Sequence, residues 1–208
     1  MDLGLKGRRA LVLASTKGLG RAVATALAGE GTSVMICGRS GAAQAAADIS
    51  RETSGAVMGR DCDLHDRAAI DDLFQAAVGE MGGVDILVLN SGGPPPAPAL
   101  EVPDKAWSEW FERMVGNLIH AATLALPAMR ERKWGRLLTI ASSAAVQPIP
   151  GMALSNSLRA SLLAWNKTLA AEVAADGITC NVVLPGRIDT ERVAALDEAR
   201  AKREGRSV

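Results

Sequence analysis

The chain alternates short apolar runs with longer stretches of helical periodicity, and this alternation constrains the fold more than any other feature of the sequence. The runs are apolar throughout and partly β-branched, which is typical of strands in a sheet that is covered on both faces. Six such runs are predicted strands: 10–14, 33–37, 56–62, 84–89, 136–141 and 178–184. Each precedes a predicted helix, at 18–30, 41–52, 66–81, 104–130, 152–175 and 191–202.

Strand–helix repetition of this kind requires right-handed crossovers and predicts an α/β fold, a doubly wound parallel sheet in three layers. A chain of 208 residues can bury one full core, so we expect a single domain over residues 1–208. In such a sheet the ligand lies beyond the carboxyl ends of the strands, where the strand order reverses. Every motif considered below falls at one of those ends.

Charge and cysteine content narrow the class of protein. The 23 basic and 23 acidic residues balance, which gives no electrostatic reason to expect nucleic acid or an anionic membrane as a partner. The three cysteines are scattered and odd in number, so neither a disulfide framework nor a metal site is expected. The first residues lack the apolar core of a signal peptide, and no apolar run reaches the roughly 20 residues of a membrane span. We therefore expect a cytoplasmic protein.

The first predicted strand leads into a glycine-rich turn, Ser15-Thr16-Lys17-Gly18-Leu19-Gly20. Glycines between a strand and a helix let backbone N–H groups approach a pyrophosphate, and the helix N-terminus favours its negative charge. An ordinary tight turn would use the same residues. The position after the first strand of an α/β chain favours a dinucleotide site.

The second predicted strand is followed by Arg39. An acidic residue here would bind the ribose of NAD, whereas arginine can pair with the 2′-phosphate of NADP. Lys17 would place a second positive charge nearby. We therefore expect NADP(H) rather than NAD(H), with two solvated surface cations as the alternative.

These motifs, taken in order over residues 5–190, resemble the short-chain dehydrogenase/reductase family, with general similarity to bacterial 3-oxoacyl-carrier-protein reductases. That family opens with Thr-Gly-x-x-x-Gly-x-Gly, which corresponds to residues 13–20. Leu13 replaces the threonine, and Ala14 replaces the first glycine, a change that is tolerable if the φ angle of Ala14 is negative. The resemblance implies a Rossmann-type fold and an NADP-dependent oxidoreductase acting on a small carbonyl or alcohol.

The resemblance also implies further coenzyme contacts at later strand ends. In the family an Asp-Leu pair binds adenine, an Asn-x-Gly segment lies near the ribose, and a Pro-Gly-x-x-x-Thr segment faces the nicotinamide. The matching residues here are Asp63, Leu64, Asn90, Gly92, Pro185, Gly186, Ile188 and Thr190. A helix N-cap at Asp63 and simple turns at the other two segments are the alternatives.

The catalytic pair of the family is altered. Where the family carries Tyr-x-x-x-Lys, this chain has Ser155 and Arg159, and it contains no tyrosine. In the family the tyrosine protonates the substrate oxygen, while the lysine binds the ribose and lowers the tyrosine pKa. A serine is much less acidic than a phenol of pKa about 10. Arg159 can still bind ribose hydroxyls, but it cannot relay a proton.

Two more residues complete the degenerate tetrad that the resemblance implies. Ser142 lies thirteen residues before Ser155, the spacing of the family's carbonyl-polarising serine. Asn117 occupies the position of a helix asparagine used in a proton relay, and a purely structural role is its alternative.

The leading hypothesis is an NADP(H)-dependent oxidoreductase with an atypical proton donor, for which 3-oxoacyl thioesters are one substrate class. A nucleotide-binding subunit or sensor without redox chemistry is the second reading, and a structural partner that binds no nucleotide is the third. The alanine-rich helix 152–175 suits either core packing or a symmetric homodimer, and the family also forms homotetramers. The resemblance further implies a last helix and strand beyond Val208.

Overall fold

The computed structural model describes residues 1–205 and 207, with the backbone alone at 192, 195, 196, 199, 200, 203 and 204. Within these residues the strands are β1 (Arg9–Val12), β2 (Ser33–Gly38), β3 (Val57–Asp61), β4 (Ile86–Leu89), β5 (Gly135–Ile140) and β6 (Ile178–Val183). The α-helices are α1 (Gly18–Gly29), α2 (Ala42–Thr53), α3 (Arg67–Met81), α4 (Asp104–Phe111), α5 (Asn117–Glu131), α6 (Ala153–Val173) and α7 (Glu191–Glu204).

The six strands form one parallel sheet in the order β3-β2-β1-β4-β5-β6. This confirms the predicted doubly wound α/β fold. The order reverses between β1 and β4, so the ligand crevice of such a sheet opens beyond the carboxyl ends of these two strands.

Alternate residues of the central strands face two separate apolar clusters. Leu11 and Leu13 pack on the side of α3, α5 and α6, whereas Ala10 and Val12 pack on the side of α1 and α2. The central strands are therefore apolar on both faces, as predicted. The prediction is wrong for the two edge strands. In β3 every residue is half-buried or exposed, and in β6 only Ile178 is buried, because the helices do not fully cover the edges of the sheet.

The predicted helix over 104–130 is interrupted. A π-helical segment, Glu112–Gly116, separates α4 from α5 and ends directly before Asn117. Such segments change the direction in which the following side chains project and are frequent at functional sites. The apolar periodicity continues across the segment, so no break in the pattern predicts it.

An ion pair joins β1 and β4 at the ends opposite the crevice. The buried carboxylate of Asp85 accepts hydrogen bonds from Arg9 Nε at 2.7 Å and Arg9 Nη2 at 2.6 Å. Arg132 lies 3.3 Å from the same carboxylate. The two strands are thus fixed at their amino ends, while their carboxyl ends lead into the loops of the crevice.

No helix in the part of the chain that the structure describes is both long enough and apolar enough to cross a lipid bilayer.

Candidate functional site

The glycine-rich turn connects β1 to α1 with almost no space between them. A Cβ atom on Gly20 would lie 2.4 Å from the carbonyl oxygen of Ala14 and 2.9 Å from Asn90 Nδ2. Gly18 has a φ of +58°, which a residue with a side chain rarely adopts. Lys17 and Gly18 are exposed at the turn. The backbone at Lys17 and Gly18 is therefore open to solvent, with little side-chain cover.

Ala14 departs from the sequence expectation. Its φ is +47°, not negative, so it holds the left-handed conformation that suits the glycine of the family motif. Such a conformation costs roughly 1–2 kcal/mol for a residue with a Cβ. Two contacts hold it in place: Asn90 Nδ2 donates to the Ala14 carbonyl at 2.9 Å, and the Ala14 N–H donates to the Cys37 thiol.

Ser15 ties the end of β1 to the end of β2. Its hydroxyl donates to the Val12 carbonyl and accepts a hydrogen bond from the Cys37 N–H at 3.2 Å. Ser15 is fully buried, and Leu13 beside it is buried among apolar residues. Ser15 therefore links the ends of β1 and β2, two residues after Leu13, which has no hydroxyl. The sequence analysis predicted only a backbone contact between Ser15 and the coenzyme. A small hydroxyl residue at a strand end could have indicated this structural role as well.

The two predicted phosphate-binding cations have different environments. Lys17 Nζ pairs with Glu191 Oε2 at 2.8 Å, between two side chains that are 73% and 75% exposed. Arg39, exposed at the end of β2, forms no ion pair with any residue that the structure describes. Of these two cations, Arg39 is the one without an ion pair among the described residues, so it is the stronger candidate to bind a phosphate. Thr16 packs against Gly38, where a Cβ would lie 2.7 Å from Thr16 Oγ1.

The loop after β3 is organised by two aspartates. Asp66 caps α3 by accepting a hydrogen bond from the Ala68 N–H at 2.9 Å. The alternative of Asp63 as the N-cap is therefore wrong; Asp63 is exposed and accepts from the His65 N–H at 3.0 Å. Leu64, the second residue of the predicted adenine-binding pair, is buried.

The side chain of Asn117 joins α5 to this same loop. Asn117 Nδ2 donates to the Leu64 carbonyl at 2.8 Å, and Asn117 Oδ1 accepts from Arg67 Nε at 3.3 Å. The residue is 1% exposed, so its side chain serves to hold α5 against the loop after β3. The role that the family resemblance implies falls on its main chain, and it stays a prediction.

The end of β4 carries a buried hydroxyl that the sequence did not single out. Ser91 follows Asn90, and its Oγ is buried with no hydrogen-bond partner among the described residues. A buried hydroxyl without a partner is unfavourable by about 1–3 kcal/mol. Gly92 follows it and is exposed, with open space where a Cβ would lie. The strand order places this pair between the glycine-rich turn and β5.

Two of the predicted catalytic residues, Ser142 and Arg159, lie close to the end of β5. Ser142 is partly exposed, and its Oγ accepts a hydrogen bond from the Ala144 N–H at 3.1 Å. Ser155 is 8% exposed on α6. Arg159 lies one turn further along the same helix face, and its Nη1 donates to the Ile140 carbonyl at 3.0 Å. The structure therefore holds Arg159 beside the strand end that carries Ser142.

The segment after β6 crosses back toward the glycine-rich turn. The Ser143 N–H donates to the Pro185 carbonyl at 2.9 Å, which attaches the segment to the end of β5. Thr190 caps α7 by accepting from the Val193 N–H at 3.3 Å. Its methyl group lies 3.9 Å from the position of a Cβ on Gly18. Gly186 and Ile188, between these two anchors, are exposed.

The known proteins that the chain resembles include dehydrogenases and reductases. The chain is 32% identical over 202 residues to a D-beta-hydroxybutyrate dehydrogenase of Cupriavidus necator, covering 97% of this chain and 78% of the relative. It is 33% identical over 201 residues to the 3-oxoacyl-acyl-carrier-protein reductase of Escherichia coli, covering 96% and 81%. The crystal structure of L-sorbose reductase from Gluconobacter frateurii, complexed with NADPH and L-sorbose, matches with a TM-score of 0.91 and 30% identity, covering 97% and 78%.

A family model described as short chain dehydrogenase matches residues 8–201, which include the turn after β1 and the strand ends described above. The chain therefore belongs to the short-chain dehydrogenase family.

Proposed function

We propose that the chain is an NADP(H)-dependent oxidoreductase that interconverts a carbonyl and an alcohol, with 3-oxoacyl thioesters as the first substrate class to examine. The proposal is supported most directly by the hydrogen bond from Arg159 to the Ile140 carbonyl, which holds the helix of Ser155 and Arg159 against the strand end that leads to Ser142. The strand order places this end on the same side of the sheet as the glycine-rich turn. A fold of this kind hosts many functions, so the proposal depends on these side chains rather than on the sheet.

The residues around the turn fit a phosphorylated dinucleotide. Gly18 and Gly20 leave room for a pyrophosphate against backbone N–H groups at the start of α1. The guanidinium of Arg39, which forms no ion pair with the described residues, suits the 2′-phosphate of NADP. The buried Ser91 hydroxyl, at the end of β4, has no hydrogen-bond partner among the described residues and is a candidate to bind a polar group of the coenzyme. The NADPH bound by the related L-sorbose reductase supports the same coenzyme.

When bound, the nicotinamide supplies or accepts the hydride. The Ser142 hydroxyl uses a lone pair on the Ala144 N–H, so its own proton points elsewhere and can be donated to a substrate oxygen. Such a donor stabilises the negative charge that develops on that oxygen. Arg159, held at the Ile140 carbonyl, presents a fixed positive charge to ribose hydroxyls.

The proton for the substrate oxygen comes from Ser155 or from a water molecule, since the chain has no tyrosine. Ser155 is one turn from Arg159 and largely enclosed. Neither donor approaches the acidity of an activated phenol. We therefore expect turnover to be lower than that of a relative with a tuned general acid, by about 10²- to 10⁴-fold.

The proposal is tested by following NADPH oxidation with 3-oxoacyl thioesters, quinones and small ketones. Ser142→Ala is expected to lower kcat by about 10²-fold while leaving the Kd for NADPH unchanged. Ser143→Ala is the matched control, because Ser143 contacts its neighbours through its backbone. Absence of turnover above the rate without protein would reject the oxidoreductase.

A nucleotide-binding subunit without redox chemistry is the second candidate, and the absence of tyrosine favours it. It predicts NADPH binding together with inertness toward every carbonyl in the panel. Substrate-dependent turnover that Ser142→Ala removes would exclude this candidate.

We also propose a symmetric homodimer that packs through the alanine-rich face of α6. Light scattering of the purified protein would give its mass in solution. A monomeric mass over the working concentration range would contradict this assembly.

A further inference from the structure

Two of the three cysteines lie together at the neighbouring ends of β2 and β3. The sheet register pairs Cys37 with Arg60 across these strands. Residues two apart on a strand project to the same face, so Cys62 lies on the face of Cys37, one step further toward the crevice. Both side chains are enclosed in the same apolar cluster, at 0% and 5% exposure. Cys180 is separate from them, on β6 at the opposite edge of the sheet.

The two thiols lie close enough for a hydrogen bond from Cys37 to Cys62 to shift the pKa of both. The Cys62 thiol lies 3.4 Å from the Ala69 carbonyl, to which it donates. The Cys62 N–H also donates to the Gly38 carbonyl at 2.7 Å, so the backbone fixes the spacing of the pair.

The hydrogen bond makes the two sulfurs chemically unequal. It lowers the pKa of Cys62, although burial and the nearby carboxylates of Asp63, Asp66 and Asp72 oppose the shift. The same hydrogen bond, together with burial, raises the pKa of Cys37 well above its ordinary value. A thiolate is the reactive form of cysteine, so these directions favour Cys62 over Cys37 as the nucleophile of the pair.

We propose that Cys37 and Cys62 form a dithiol that hydrogen peroxide converts into a disulfide, and that this disulfide weakens coenzyme binding. The first part depends only on the two sulfurs. The second part rests on the proposed function.

The oxidation balances in two steps. The Cys62 thiolate attacks one oxygen of the peroxide, the O–O bond breaks, and Cys62 becomes a sulfenic acid while hydroxide leaves and takes up a proton. The Cys37 sulfur then displaces the hydroxyl from Cys62, and its own proton departs with that hydroxyl as water. Two thiols and one peroxide thus give one disulfide and two waters.

The disulfide acts on the crevice through its immediate neighbours. It shortens the sulfur–sulfur separation to about 2.05 Å, which draws the ends of β2 and β3 together. Arg39 follows Cys37 by two residues, and Asp63 follows Cys62 directly. Moving Cys37 Sγ also weakens its bond to Ala14, which shapes the glycine-rich turn. We expect NADPH affinity to fall by about fivefold, the effect of losing one net hydrogen bond.

The disulfide is tested by mass in the Cys180→Ser protein, where only the pair can react. Limited peroxide should remove two hydrogen atoms per chain and give a Cys37–Cys62 cross-linked peptide on non-reducing digestion. In Cys37→Ser the reaction should stop at a Cys62 sulfenic acid that dimedone traps. In Cys62→Ser the remaining Cys37 should stay a thiol. An unchanged mass, or oxidation without the cross-linked peptide, would overturn the proposed site.

The consequence for the coenzyme is tested on the same protein, oxidised and then re-reduced with a thiol reagent. NADPH titration should give an affinity about fivefold weaker in the oxidised form and recovered after reduction. Equal affinities would overturn the control of binding while leaving the disulfide established by mass. Absence of NADPH binding by the reduced protein would instead contradict the proposed function. The mass measurement would still decide whether the disulfide forms.

Discussion

Arg159 Nη1 donates to the main-chain carbonyl of Ile140 at 3.0 Å, and this contact fixes α6 against the end of β5. Ile140 precedes Ser142 by two residues, so the guanidinium also sets the separation between the helix and the serine. A lysine side chain ends in a compact ammonium and lacks the planar fork that serves the carbonyl and a second partner together. The arginine at this position is therefore a structural element of the site as well as a source of charge.

Removing this guanidinium should weaken the fold and the coenzyme site together. We expect Arg159→Met to lower the free energy of unfolding by about 1–2 kcal/mol, because the Ile140 carbonyl loses a charged donor. Lys167→Met, which removes an exposed cation from the same helix, should stay within about 0.5 kcal/mol. Urea denaturation measures both, and NADPH titration should show weaker binding for Arg159→Met alone. Equal losses of stability and of NADPH affinity in Arg159→Met and Lys167→Met would contradict the role of Arg159 in fixing α6 to β5 and in binding the coenzyme.

The coenzyme preference should depend on Arg39. Arg39→Ala should weaken NADPH binding by about 10- to 100-fold, the range for losing a hydrogen bond to a charged group, and leave NADH binding unchanged. Lys17→Ala is the control, since Lys17 is paired with Glu191 and should have the smaller effect. Fluorescence titration with each coenzyme gives the ratio of affinities. An unchanged ratio in Arg39→Ala would show that this residue does not bind the phosphate.

Gly20 should tolerate no side chain. In Gly20→Ala the new Cβ meets the Ala14 carbonyl oxygen at 2.4 Å, so α1 must move away from β1. We expect a loss of about 1–3 kcal/mol in the free energy of unfolding, as for other overpacked sites. Gly79→Ala is the matched control, because Gly79 is exposed in α3 with open space at its Cβ position. It should gain about 0.5–1 kcal/mol from helix propensity. Equal free energies of unfolding for Gly20→Ala and Gly79→Ala would contradict the close approach of α1 to the Ala14 carbonyl.

Ala14 should be replaceable by glycine with a gain in stability. Its φ of +47° is unfavourable for a residue with a Cβ, so Ala14→Gly should raise the free energy of unfolding by about 1 kcal/mol. Ala26→Gly, at an exposed position of α1, should lower it by about 1 kcal/mol. Thermal and urea denaturation of the three proteins would compare them. A loss of stability in Ala14→Gly would show that the left-handed backbone carries no strain.

Stability should depend on pH through Asp85. Burial acts to raise the pKa of Asp85, but the hydrogen bonds from Arg9 and the charge of Arg132 outweigh it and hold the pKa below its usual value. The unfolded chain has the higher pKa, about 3.9, so the pair stabilises the fold above that pH and loses its effect as the pH falls through the folded value.

Asp85→Asn should therefore cost about 3 kcal/mol at neutral pH, and its difference from wild type should shrink below about pH 4. Asp48→Asn, at an exposed pair with Arg51, should change stability by under about 1 kcal/mol at any pH. Denaturation at a series of pH values tests both. A constant difference for Asp85→Asn would contradict the assigned shift.

The fold was predictable because apolar runs and helical periods alternate without interruption, and the motifs fall at strand ends for the same reason. The individual side-chain contacts of the site were harder to predict from the sequence. The positive φ of Ala14 and the partnerless Ser91 hydroxyl depend on how separate strand ends meet, which no local pattern encodes. The engagement of Asn117 with the Leu64 carbonyl likewise follows from a π-helical segment that leaves the apolar period intact.

The division of the crevice between elements has an evolutionary consequence. Ser155 and Arg159 lie on a single helix, while the residues around the turn are spread over the ends of several strands. A few substitutions on α6 could therefore change the reaction without changing the residues that are proposed to bind the ligand. Substitutions on this one helix therefore leave the residues of the turn and of the other strand ends in place.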